Sequence, residues 1–346
     1  MSIQLSVLDQ TPIRRGSTAP EALQESIQLA KLTDQLGYTR YWLSEHHNIN
    51  TLAGAAPEVF IARLASETKR IRFGSGGIML PNHSTLKVAE NFRLLEALYP
   101  GRIDLGIGRA PGGDRLTASL LNPTNKFDPQ DYIQQIVDLK AFLSDDRDVH
   151  EKVIAIPSID TKPELWMLTS SGESAYIAAH FGMAVSFAQF ISPVGGAEAI
   201  RAYRERFKPS EELHEPKASV GIFVFCSESE EKVTRMQTIM DYRLISLEKG
   251  KIDMTPSYEE ASVYSYSASE WSRVQYNRQR MVVGNPDEVK NKLTRLVSSL
   301  GVDEIVVATF SEKFEDRMKS YELLADAFQI SSKKASGATV PINELL

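Results

Sequence analysis

The alternation of short apolar runs with longer amphipathic segments constrains this chain more than any other feature. The runs Ile3–Leu8, Tyr41–Leu43, Ile71–Leu80, Ile103–Ile107, Leu165–Leu168, Ala184–Phe187, Ser219–Cys226 and Glu304–Ala308 read as strands. Several are almost continuously apolar, as strands covered on both faces must be. Between them, Glu21–Leu36 places Leu23, Ile27, Leu29, Ala30, Leu32 and Leu36 on one stripe. Thr85–Tyr99 does the same with Val88, Phe92, Leu95 and Leu98, the spacing of helices that bury one face. Asp128-Pro129 opens a helix through Phe142 and Asn285-Pro286 opens one through Leu300, each with a capping side chain followed by proline at the first helical position. Glu288 falls where a capping box needs it.

Repeated strand–helix units imply a parallel sheet with right-handed crossovers. Eight strand candidates favour an α/β fold closed as a (β/α)8 TIM barrel over an open doubly wound sheet. We expect one barrel domain over residues 1–330 and a weakly ordered tail over 331–346. Two segments interrupt the alternation. Ser144–Lys162 is polar and irregular, and reads as a connection to the fifth strand. Lys249–Met281 holds Tyr258, Tyr264, Tyr266, Trp271 and Tyr276 and forms an insertion before the last strand. A segment that long in a compact domain is commonly functional, and its aromatic content reads as a lid.

Composition excludes several classes of function. The 346 residues carry a net charge of -6, and the densest basic pair, Lys333-Lys334, is too short for a nucleic-acid surface. One cysteine, Cys226, leaves no disulfide framework and no cysteine-rich zinc site. No apolar run approaches the roughly 18 residues of a membrane span. The start, MSIQLSVLDQ, lacks the basic and apolar regions of a secretory signal, so a cytoplasmic location is expected.

Active sites of such barrels are built where strands end, and that rule selects few sequences. The first strand is followed by Asp9-Gln10-Thr11-Pro12 and the second by Ser44-Glu45-His46-His47-Asn48. The third contains Gly74-Ser75-Gly76-Gly77, and the fourth runs into Gly106-Ile107-Gly108-Arg109-Ala110-Pro111-Gly112-Gly113. Strand alternation sends His46 and His47 to opposite sides, which opposes joint chelation of a metal. Three readings stay open for the pair: a metal site with Glu45, a structural role, and acid/base work by one of them, which the near-neutral proton exchange of histidine favours. Pro111 stands where a G-x-G-x-x-G dinucleotide pattern needs glycine. The glycines instead permit close backbone approach to a flat ligand, with Arg109 placed to pair with phosphate; a tight turn beside a solvated arginine is the plainer alternative. Ser170-Ser171-Gly172-Glu173-Ser174 opens a helix, and its hydroxyls and first-turn amides read either as an anion site or as an ordinary serine cap.

Taken in order, YWLSEHHN (41–48), GSGGIMLP (74–81), ENFRLLEALYPGRIDLGIGRAPGGD (90–114), LTSSGESAYIAAHFGM (168–183), VVGNPDEV (282–289) and SYELLADAF (320–328) resemble the luciferase-like flavin monooxygenases, relatives of bacterial luciferase. The resemblance implies reduced FMN and O2 as co-substrates, a small organic substrate, a separate NAD(P)H:flavin reductase, and a homodimer through the helices near Ala55–Ser66 and Thr85–Leu98. It implies acid/base chemistry at His46 and a non-proline cis peptide joining Gly76 and Gly77 against the flavin ring. Phosphate contacts would come from Arg109, Ser171 and Ser174 with the amides of Gly172 and Glu173. The luciferase branch has cysteine where Gly108 stands and a large aromatic near Gln189, so light emission is not expected. Members that use a deazaflavin for hydride transfer, or that bind flavin without turnover, are the alternatives.

Overall fold

The computed structural model describes residues 3–110, 112–124, 126, 128–144, 152–251 and 255–330. The expected tail, with Lys333-Lys334, lies outside the described residues, as do Pro111 and 252–254 of the insertion. The strands are β1 (Gln4–Asp9), β2 (Arg40–Leu43), β3 (Arg72–Met79), β4 (Ile103–Gly108), β5 (Glu164–Thr169), β6 (Ala184–Ala188), β7 (Ala218–Cys226), β8 (Met281–Gly284) and β9 (Glu304–Ala308). All pair in parallel. β1 through β7 follow one another, and β9 bonds to both β7 and β1, which closes an eight-stranded ring. The eight strand candidates are these eight staves.

The ninth strand was not among them. β8 lies outside the ring, paired only with the C-terminal half of β7, from Phe223↔Met281 to Cys226↔Gly284. The N-terminal half of β7 pairs with β9 along the same edge, from Ser219↔Glu304 to Phe223↔Ala308. At four residues, MVVG lacks a pattern that distinguishes a stave from an accessory strand.

The helices are α1 (Ala19–Leu36), α2 (Pro57–Ser66), α3 (Thr85–Leu98), α4 (Arg115–Leu121), α5 (Pro129–Ser144) and α6 (Gly172–Phe181). They continue as α7 (Gly196–Arg206), α8 (Glu230–Glu248), α9 (Tyr258–Ser262), α10 (Ala268–Asn277), α11 (Pro286–Leu300) and α12 (Phe314–Phe328). Asn285 caps α11 through the Glu288 amide. Leu5, Val7, Tyr41, Leu43, Ile103 and Leu105 face outward into the main core between sheet and helices. Between β7 and β9 the chain adds α8, α9, α10 and β8, held by a smaller cluster that includes Met236, Ile239, Met240, Leu244, Ala261 and Phe310. Among the described residues no helix is long and apolar enough to cross a membrane.

The inward face is layered. At the N-terminal ends of the strands, the buried Arg40 guanidinium bonds Glu304 at 2.6 Å and Asp104 at 2.7 Å and lies 4.6 Å from the Trp166 ring centroid. Ser6 donates to Glu304 and Trp42 to Asp104. This ionic floor is invisible in the apolar runs, because its members are single residues on different strands. Above it Leu8, Trp42, Trp166, Val306 and Ala308 form an apolar layer. Higher still, Gly76 and Gly106 hold inward positions of β3 and β4 where close packing leaves no room for a side chain. A Cβ on Gly76 would come 2.8 Å from Leu8 Cδ1, and one on Gly106 would come 2.2 Å from the Ser75 carbonyl oxygen.

Candidate active site

The open end of the barrel holds a cavity of about 610 Å³ at the C-terminal ends of the strands, where active sites of this architecture lie. His46, Gly76, Arg109, Ser171 and Ser174 all line it. Gly77, Gly172 and Glu173 adjoin these in the chain without lining it. The Gly76–Gly77 peptide is cis.

His46 and His47 part as strand alternation dictates. His46 lines the cavity, and its Nδ1 lies 3.0 Å from Ser44 Oγ. His47 turns away, with Nε2 at 2.8 Å from Glu45 Oε1, and His83 Nε2 reaches the same oxygen at 2.9 Å. The other Glu45 oxygen accepts the Met79 amide at 2.9 Å. Burial pushes the Glu45 carboxyl up, but the hydrogen bonds and charge of His83, the Met79 amide and His47 outweigh it and hold the carboxyl below its usual range. Burial opposes protonation of His83 too, yet Glu45 outweighs it and raises that imidazole. Glu45 therefore organises the strand end and joins β2 to β3.

His46 is different. Burial dominates, Glu45 only partly offsets it, and the pKa falls to about 4. At neutral pH its ring is uncharged, with one N–H to give and one lone pair to accept a proton. In that state the ring can accept a proton at neutral pH, but as a weaker base than a histidine whose pKa lies near the operating pH.

The far wall is the start of α6. Ser171 occupies the N-cap position with extended backbone, yet its hydroxyl accepts none of the first-turn amides. Thr169 Oγ1 instead takes the Ser171 amide at 3.1 Å and donates back to the Ser171 carbonyl oxygen. An uncapped start leaves first-turn N–H groups without intrahelical partners, at the positive end of the helix dipole. Ser171 is therefore not an ordinary serine cap, and the anion-site reading of Ser170–Ser174 stays open. Arg109, at the end of β4, bonds the Glu173 carboxylate at 2.8 Å on the exposed rim. Glu173 was expected to contribute only its amide; its side chain adds a carboxylate that shares the guanidinium.

Other residues take structural roles. Asp9, in a strand-end segment singled out for chemistry, is fully buried and accepts from Arg317, Ser26, Tyr41 and the Thr11 amide. Burial pushes its carboxyl up, but Arg317 and the hydroxyls win and hold it low. Asp9 ties β1 to α1 and α12. A Cβ on Gly108 would come 2.9 Å from Met79 Cε, so Met79 fills the space beside that glycine. Gln189 is buried and donates to the Pro193 carbonyl at 2.8 Å. Arg243, Phe190, Phe223 and Phe310 also line the cavity. They were not singled out, because lone residues in ordinary helices and apolar runs carry no local motif.

Comparison with known proteins gives a consistent picture. Residues 3–304 match the family described as luciferase-like monooxygenase. The uncharacterized protein YwcH of Bacillus subtilis (strain 168) is 46% identical over 330 residues, covering 94% of this chain and 99% of that protein. The N-acetyl-S-alkylcysteine monooxygenase of the same organism is 35% identical over 333 residues, covering 94% and 98%. Among solved structures, apo-MsnO8 superposes with a TM-score of 0.88 at 36% identity, covering 95% of this chain and 99% of that one. The oxygenating constituent of 3,6-diketocamphane monooxygenase from the CAM plasmid of Pseudomonas putida, solved in complex with FMN, shares the fold, with a TM-score of 0.70 at 18% identity, covering 96% and 99%.

Proposed function

This chain belongs to the luciferase-like monooxygenase family, and from that premise we propose that it binds reduced FMN in the barrel-mouth cavity and oxidises a small organic substrate with O2. One observation carries the choice: five residues from four strand ends converge on one cavity whose helix start is uncapped. The residues fit the flavin. Ser171, Ser174, Arg109 and the first-turn amides of α6 would hold the phosphate, and the glycine face of β3 and β4 would admit the ring. When bound, reduced flavin supplies the electrons that activate O2.

The chain's own residues do the rest. Neutral His46 takes or returns a proton as oxygen is transferred. Glu45 holds the strand end that carries it. Leu244, Leu247 and Pro256 from the segment beyond β7 line the cavity and keep water from the reacting atoms. The relative named for N-acetyl-S-alkylcysteines supports a compact substrate with an oxidisable heteroatom. A separate NAD(P)H:flavin reductase would supply the reduced flavin, since no nicotinamide fingerprint is present in the sequence. The protein would act as a cytoplasmic homodimer through α2 and α3, where Val59, Leu94 and Leu98 are exposed.

Anaerobic titration with photoreduced FMN and with reduced deazaflavin, followed by mixing with O2, tests the proposal. Saturable binding of FMN at micromolar levels and oxygen consumption by the complex are expected. Preference for deazaflavin, with no reaction toward oxygen, would overturn it.

A further inference from the structure

The flavin site accounts for one wall of the cavity; the opposite wall carries cations with no assigned task. Around the ring, β9 lies four strands from β4 in either direction, so Phe310, just beyond β9, stands across the cavity from Arg109. Over Phe310 lies Arg243 of α8, its guanidinium carbon 4.2 Å from the ring centroid. Its Nη1 donates to Thr255 Oγ1 at 2.8 Å. Among the described residues, no carboxylate pairs with Arg243, and its remaining N–H groups have no protein partner. Arg243 is half-buried, and the fully buried arginines are satisfied: Arg40 by Asp104 and Glu304, Arg317 by Asp9, and Arg93 by the Pro157 and Phe142 carbonyls.

Burial without a counter-charge is costly for a guanidinium, and it lowers the Arg243 pKa to about 10, so the group stays charged at neutral pH. Lys251 and Arg280 line the same cavity. Arg280 meets Glu248 at 3.3 Å, but its Nε is buried without a partner. Among the described residues, the lone acidic side chain lining the cavity is Glu45, and it is committed to His47 and His83. A chain of net charge -6 thus presents three cationic side chains, Arg243, Lys251 and Arg280, to the cavity besides Arg109. Low-dielectric walls focus such a field onto an incoming ion.

We infer that the substrate carries an oxyanionic group, a carboxylate in the first instance, which docks on Arg243 while its apolar body lies against Phe190, Phe223 and Phe310. The planar guanidinium offers two parallel N–H donors to a carboxylate, a match that an ammonium lacks. The inference rests on the proposed flavin site in one respect: with Arg109 and the α6 start taken by the flavin phosphate, Arg243 is left to the substrate. The same oxyanion chemistry could also come from the flavin phosphate itself, and the experiment separates the two sources.

Calorimetric titration of the full chain at pH 7.5 with 4-phenylbutyrate and with 4-phenylbutan-1-ol compares the same apolar body with and without the charge. Wild type is expected to bind the acid about tenfold or more tightly than the alcohol. The preference should vanish in Arg243→Met and persist in part in Arg243→Lys, with circular dichroism melts confirming that both variants fold. Affinity for reduced FMN should be unchanged in Arg243→Met. Equal binding of acid and alcohol, binding of neither, or an acid preference that survives Arg243→Met would overturn the inference. So would a parallel loss of reduced FMN, which would assign Arg243 to the flavin phosphate. An acid preference in a protein that takes up no reduced FMN would support the anion site and refute the flavin proposal alone.

Discussion

Burial, more than any partner, sets the state of His46. An unperturbed histidine titrates near 6.5, and in this fold the value falls to about 4 because the ring lies away from water and Glu45 is engaged elsewhere. The sign follows from linkage. With the folded value below the unfolded one, the unfolded chain binds the extra proton between about 6.5 and about 4. His46 therefore costs no stability above that window and progressively destabilises the fold as pH falls through it. In the activity profile, the acid limb from this group should lie near about 4 and not between 6 and 7. Histidine NMR titration of wild type against His46→Asn checks this; a ring resonance that shifts near 6.5 and is lost in the variant would refute it. His83, held above its ordinary value by Glu45, gives the contrast within one spectrum.

At the scale of elements, the start of α6 and the end of β4 work as one unit. The helix supplies uncapped amides and the strand supplies Arg109, but Glu173, in the first helical turn, holds that guanidinium on the exposed rim. Such exposed pairs contribute about 0–1 kcal/mol, so an arriving phosphate can displace the carboxylate at small cost. Glu173→Gln should tighten reduced FMN binding by up to about fivefold. Arg109→Gln should weaken it by about tenfold or more, through loss of a charge-assisted contact. Fluorescence or absorbance titration reads both, and unchanged affinity in Arg109→Gln would remove that residue from the phosphate site.

For the whole molecule, the ring's closure leaves the outer faces of α2 and α3 as candidates for association. Val59, Leu94 and Leu98 are 71%, 53% and 56% exposed, an apolar group on adjacent helices that solvent alone does not favour. Leu94→Glu combined with Leu98→Glu should convert a dimer to a monomer in light scattering after size exclusion. A wild-type monomer, or a dimer untouched by the charges, would place the interface elsewhere or nowhere.

Strand–helix alternation, the capping residues and the parity of each strand follow from local rules: apolar period, proline and asparagine chemistry, and the two-residue repeat of an extended chain. These made the eight staves, the cap of α11 and the divergence of His46 from His47 legible in the sequence. Chain order also drew attention to Arg109 and the Ser170–Ser174 stretch, because strand ends of a closed barrel must share one mouth, while the choice of Ser171 and Ser174 within it came from the family resemblance. Only the tertiary structure decided the rest. It showed Asp9 to be an anchor, since its partners Arg317 and Ser26 come from helices far apart in the chain. It placed β8 outside the ring, built the Arg40 floor, and left Ser171 uncapped while Glu173 took Arg109. It brought Arg243 into the cavity with no carboxylate partner among the described residues. Each of these depends on long-range pairing and on the balance of desolvation against charge, quantities that no window along the chain contains.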